Sequence, residues 1–439
     1  MEISAGDTAW VLTSAALVML MTPGLAMFYG GMVRVKSVLN MMMMCFLALG
    51  LVSIIWVLYG YSLAFGTDSG AGLIGNFEFI GLQDTVGEVE GTIPTLAFVM
   101  FQMTFAIITC ALLAGAVADR IRIIAWIAVI VLWTTFVYVP LAHWTWKFDD
   151  GAGGWIGDRL GALDFAGGTV VEINSGFSAL ALAIVVGRRI GWRRDPMRPH
   201  NLPLVLLGAG MLWFGWFGFN AGSALAAGEL AATAMINTQV CTAAAALSWV
   251  LVEKFRDGKP TTLGIASGAI SGAVAITPSC GYVNPMGALL IGLAAGAICA
   301  WAVGLKYRLG YDDSLDVLGV HGIGGLVGMI GIGLVATTAV NEAGGDGLFS
   351  GGGFDLLGKQ LVASGATMIY VFGVTWLIAV AIDKVIGFRV TPEAEISGID
   401  LDQHAETGYE LTDTTSGSFA GVGQHGLSEY RQKEQREDS

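Results

Sequence analysis

DFAGGTVVEINSG, residues 164–176, places a carboxylate where the chain otherwise reads as a membrane helix. Asp164 can cap the start of that helix. Glu172 lies eight residues further in, among Val170, Val171 and Ile173, and capping does not account for it. Whether this stretch runs through a bilayer or a soluble core decides the fold.

Composition answers first. The chain has 439 residues, 54% of them hydrophobic and 13% charged, with a mean hydropathy of +0.68. Apolar runs of about 20 residues recur with the charges held between them, the pattern of transmembrane helices. The 63 glycines suit helices that pack closely in lipid. The net charge is −13, and the basic residues gather on no single element, so no nucleic-acid partner is expected. The first apolar run begins near Thr8, follows Glu2 and Asp7, and is long enough to span, unlike a removable signal peptide. Cys45, Cys110, Cys241, Cys280 and Cys299 lack metal spacing and read as small packing residues. The Met41–Met44 run lacks His or Cys companions and reads as helix filler. No metal, cofactor or enzyme chemistry is expected.

Eleven spans are expected, at 8–30, 38–65, 92–117, 122–146, 163–186, 201–224, 229–252, 261–278, 284–305, 315–339 and 358–386. The loop charges test this count. Nineteen of the 22 Lys and Arg residues fall on one side of the alternation, and only Lys147, Arg159 and Lys359 on the other. The positive-inside rule then places the N-terminus outside and the C-terminus in the cytoplasm of a plasma (inner) membrane protein. Residues 1–387 form the membrane domain and 388–439 an acidic cytoplasmic tail. The part from about Thr412 is expected to be disordered. VTPEAEISGIDLDQHAETGYEL, 390–411, has some apolar spacing that permits docking on the cytoplasmic face, although its composition favours a solvated tail.

Eleven spans suggest two inverted five-helix repeats plus one extra helix, an all-α polytopic fold with the substrate path between the halves. Spans 5 and 10 then correspond. Span 5 begins at Asp164 and carries Glu172; span 10 begins near Asp316 and carries His321, in DVLGVHGIGGLVG. On a straight helix Glu172 lies roughly 12 Å below Asp164, toward the middle of the hydrocarbon core. Ionisable residues at such depth mark a pathway or a proton relay, and the bland alternative is a neutral group bonding a neighbouring helix. Facing each other, Glu172 and His321 would titrate as a coupled pair.

Aromatic spacings add weaker signals. Phe101 and Phe105 in FQMTFAIIT, and Phe219 and Ser223 in GWFGFNAGS, are i, i+4 pairs that share a helix face. Trp146 ends span 4 on the outer side, where an interfacial belt is the ordinary reading. The functional reading is a cation held over ring faces with one hydroxyl as acceptor. Gly268/Gly272, Gly292/Gly296 and Gly324/Gly328 have GxxxG spacing and imply close helix contacts rather than a nucleotide site.

DFAGGTVVEINSG, FQMTFAIIT, GWFGFNAGS and DVLGVHGIGG, in that order, resemble the ammonium transporters of the Amt/Mep/Rh superfamily, on the bacterial Amt side. The resemblance spans residues 8–411. It implies a homotrimer with one pore per subunit. Trp146 and Ser223, with Phe101 and Phe105, would recruit ammonium, or methylammonium in its place, at the outer side, supported by Asp164. Phe105 and Phe219 would form the gate, and His321 would be the second of twin pore histidines. It also implies a tail that couples the subunits and a face that a PII-type signal protein can plug. One departure stands out: the first twin histidine falls on Glu172, as in some fungal members. Glu172 and His321 would then relay a proton beside neutral ammonia, or Glu172 would shelter the ammonium ion itself. An ammonium sensor and a channel for neutral gas are the competing functions.

Overall fold

The structure, a computed structural model, describes residues 2–409. The tail beyond, for which disorder is expected, lies outside them. In chain order the apolar helices are α1 Ala5–Met32, α2 Val35–Phe65, α3 Thr95–Val117, α4 Ile123–Trp146, α5 Gly168–Val186, α6 Leu202–Gly222, α7 Glu229–Arg256, α8 Thr262–Ile276, α9 Pro285–Leu309, α10 Leu318–Val335 and α11 Asp355–Ile386. Among the described residues ten helices are long and apolar enough to cross a membrane; α8 is the exception, with 15 residues. Turn hydrogen bonds from Ser279 and Cys280 to Ile276 carry its chain onward. The eleven expected spans thus each have a helix.

Local sequence explains the helix starts. Asn201 caps α6 by accepting from the Leu204 amide, with Pro203 in the first turn, and Asn284 and Pro285 begin α9 the same way. Thr261 caps α8. A short hairpin, β1 Val89–Glu90 and β2 Ile93–Pro94, precedes α3. The face where α1 begins is called the N-face here, and the opposite face the C-face.

Glycine governs the packing. A Cβ on Gly292 or Gly296 would lie 2.4 and 2.2 Å from the carbonyls of Cys241 and Ala245, so α9 rests directly on the α7 backbone. Gly268 and Gly272 of α8 meet the same stretch of α7. A Cβ on Gly176 of α5 would meet the Gly322 backbone of α10 at 2.3 Å, so the two helices cross there on bare backbone.

The two halves repeat one local device. Both α5 and α10 begin with a π-helical turn, Gly168–Ile173 and Leu318–Gly322, and these turns carry Glu172 and His321. Such turns recur at functional sites. Asp164 accepts from the Thr169 amide at 2.7 Å, five residues on, and Asp313 from the Leu318 amide at 2.8 Å, also five on. Asp164 stands eight residues before Glu172, and Asp313 eight before His321. The counterpart of Asp164 is therefore Asp313. Asp316 instead pairs with Lys306 at 2.7 Å.

On the C-face the chain after α11 folds back. Helices α12 Pro392–Ser397 and α13 Ile399–His404 pack there. Asp400 accepts from the amides of Leu39 and Asn40 at 3.0 and 2.8 Å, Gln403 from that of Ile123 at 3.3 Å, and Glu395 pairs with Arg389 at 2.6 Å. Composition favoured a solvated segment here; paired carboxylates and exposed helix amides explain why it docks.

Candidate transport pathway

The aromatic residues singled out in the sequence gather at the N-face end of α4. The Trp146 indole N–H donates to the Asp164 carbonyl at 3.0 Å, which fixes the ring and leaves only its faces free. Phe105 stands edge-on to Trp146 at 5.9 Å and to Phe101 at 4.8 Å. The Ser223 hydroxyl donates to the Phe219 carbonyl at 2.9 Å, so its oxygen keeps lone pairs for another donor. Below, the buried rings of Phe105 and Phe219 stack with centroids 4.0 Å apart and planes 19° from parallel. The i, i+4 spacings therefore do place these side chains together.

Both carboxylate oxygens of Asp164 are engaged by protein donors. Its Oδ1 accepts from the Gly167 and Gly168 amides at 2.7 and 2.6 Å, and its Oδ2 from the Thr169 amide and hydroxyl at 2.7 and 2.5 Å. The carboxylate caps a helix that starts at Gly168, not at Asp164 itself. Glu172 consequently sits one turn into α5, and the roughly 12 Å read from a straight helix does not apply, because residues 164–167 form a bent, non-helical lead-in.

Beyond the phenylalanine stack, Glu172 and His321 meet. Nδ1 of His321 lies 2.8 Å from Oε2 of Glu172, and both side chains are buried. Oε1 of Glu172 has no hydrogen-bond partner among the described residues. Glu172 and His321 border a cavity of about 10 Å³ that Leu25, Ile108, Leu212 and Trp216 help to wall, about the room of one water molecule. A buried carboxylate oxygen left unpaired is costly, so the site is chemically incomplete without a donor. Past His321 a wider cavity of about 170 Å³, with Glu253, Arg256 and Ser267 on its wall, continues toward the C-face.

Sequence reasoning missed the apolar lining, because nothing distinguishes Ile108 or Leu212 from other membrane-helix residues. It also passed over His143, whose place beside Asp68 required the fold.

Comparison with known proteins identifies the family. The model of the Ammonium Transporter Family matches residues 9–409. The chain belongs to that family. An ammonium transporter of Mycobacterium tuberculosis is 52% identical over 439 residues, covering 94% of this chain and 92% of the relative. The crystal structure of Candida albicans Mep2 superposes with a TM-score of 0.83 at 33% identity, covering 93% and 94% of the two chains. A sensor Amt protein does so at 0.84 and 30%, covering 91% and 98%. The ammonium transporter family is one of transporters rather than enzymes.

Proposed function

We propose that this protein carries ammonium into the cell through one pore per subunit of a homotrimer. In this reading residues 1–387 are the transporter and 388–439 the cytoplasmic tail. The N-face lies outside the plasma membrane and the C-face, with its excess of Lys and Arg, in the cytoplasm.

The observation that carries the mechanism is the unpaired Oε1 of Glu172 beside His321, below a closed aromatic stack. Ammonium sheds water against the faces of Trp146 and Phe101 and the Ser223 hydroxyl. Stripping it of water in an apolar pore costs several kcal/mol or more unless a partner replaces the shell. Giving its proton to Oε1 of Glu172 and going on as ammonia removes that cost for the rest of the pore; Glu172 hands the proton to His321, and ammonia takes one up again in the cytoplasm. Net movement is one positive charge inward. The competing passage is of the ion itself, with Oε1 of Glu172 as its acceptor.

Ammonium-evoked current in proteoliposomes tests the proposal. Current that saturates with ammonium supports transport; neutral uptake without current points to a gas channel. Binding without flux is the third outcome, and the likeness to a sensor Amt protein gives it specific support. The C-face, with its docked α12 and α13, is where a PII-type signal protein would seat, detectable as loss of current on its addition.

A further inference from the structure

His143 is a buried ionisable group that the mechanism leaves unused. It lies one turn before Trp146 on α4. Its Nδ1 is 2.9 Å from the Ala64 carbonyl and its Nε2 is 3.3 Å from Oδ1 of Asp68. A carbonyl oxygen only accepts, so Nδ1 carries a proton. Asp68 is also an acceptor: burial opposes its ionisation, but the amides of Gly72 and Gly70 and the neighbouring His143 outweigh that and hold its carboxyl below the usual range. Nε2 must then carry a proton as well, and only the imidazolium has both. The cation sits at a helix C-terminus, where the helix dipole favours it.

The contact extends to the entry site. Arg159 donates to Oδ2 of Asp68 at 2.8 Å, to the Gly153 carbonyl at 2.8 Å and to the Ala152 carbonyl at 2.9 Å. The Gly154 amide closes the loop onto the Lys147 carbonyl at 2.7 Å. A Cβ at Gly154 would lie 2.1 Å from the His143 carbonyl, so this loop is pressed against the last turn of α4. The same loop continues to Asp164, whose carbonyl orients Trp146.

We infer that His143, as an imidazolium clamped to Asp68, is a positioning residue for the aromatic entry site and makes ammonium recruitment pH-dependent. The inference rests on the proposed role of Trp146. The charged groups that face His143 are Asp68 and, behind it, Arg159, with Lys147 one turn on at the same helix end. The clamp holds above the depressed range of Asp68 and opens on the alkaline side as His143 gives up its proton.

The test is the KM for ammonium ion as a function of pH, read from proteoliposome currents. In the unmodified protein KM rises with pH through the imidazolium range, while the maximal current follows its own course. His143→Gln raises KM about 5-fold, the scale of one lost contact, and flattens its pH dependence. Asp68→Asn presents an amide that satisfies a neutral imidazole, so its KM also becomes pH-independent; it serves if His143→Gln does not fold. A pH-dependent KM retained in either variant overturns the inference. Trp146→Leu separates the two levels: if it leaves KM unchanged, the recruitment reading fails; if it raises KM while the His143 and Asp68 variants do not, only the clamp fails.

Discussion

Glu172 spends one carboxylate oxygen on His321, at 2.8 Å, and leaves the other with no partner. A relay needs the carboxylate as a proton carrier; a cation shelter needs only its charge. Glu172→Gln keeps the shape and the acceptor but cannot exchange a proton in the same way, whereas Glu172→His restores a titratable group. A relay predicts that Gln abolishes ammonium-evoked current and His retains it. Full electrogenic transport by the Gln variant would sink the relay reading.

The pair depends on how closely α5 approaches α10. A methyl group on Gly176 would strike the Gly322 backbone at 2.3 Å, and Gly322 follows His321 directly. Gly176→Ala should therefore push the helices apart and part Glu172 from His321. The expected result is a loss of current of about 10-fold or more in a protein that still reaches the membrane, the scale set by misplacing a reacting group. Unchanged current in Gly176→Ala would mean that the pair tolerates separation.

Arg120 tests the C-face scaffold independently of the pore. This buried side chain donates to the carbonyls of Gly187 and Ala118 at 2.8 and 2.9 Å, to those of Ala116 and Asp312, and to the Ser314 hydroxyl. All five of its donors are used. Lysine has three, so Arg120→Lys leaves buried carbonyls unpaired and should cost about 2–4 kcal/mol. The check is thermal unfolding in detergent, where an unaltered midpoint would contradict the assignment.

Asp313 gives a pH signature. Burial first, and then the nearby charge of Asp316, raise its carboxyl from the ordinary 3.8 to about 6. Between those values the folded chain holds a proton that the unfolded chain has lost, so stability falls as pH rises through the window. Asp313→Asn removes this slope. Its gain in stability over the unmodified protein should grow from about 1 kcal/mol near pH 4.5 to about 3 kcal/mol at pH 7 and above. Parallel unfolding curves for the two proteins across that range would exclude it.

The membrane architecture was legible because bilayer thickness writes itself as run length and loop charge. Glu172 and His321 were legible for a related reason, since a charge in an apolar run has few structural excuses. What stayed hidden depends on contacts distant in sequence. Asp313 and Asp316 are equally plausible partners for α10 as letters; only the hydrogen bond to Leu318 separates them. The tail's acidity argued for solvation, yet Asp400 is 360 residues from the Asn40 amide that it meets. His143 looks like any histidine near a helix end until Asp68 is placed against it.

That last span of chain has a consequence for how the molecule is made. Asp400 and Gln403 supply the oxygens that complete the starts of α2 and α4. During synthesis those helices are inserted long before either residue exists. Their first amides must borrow water or lipid headgroups until α13 arrives, so the final folding step of the C-face is also the one that seals its earliest helices.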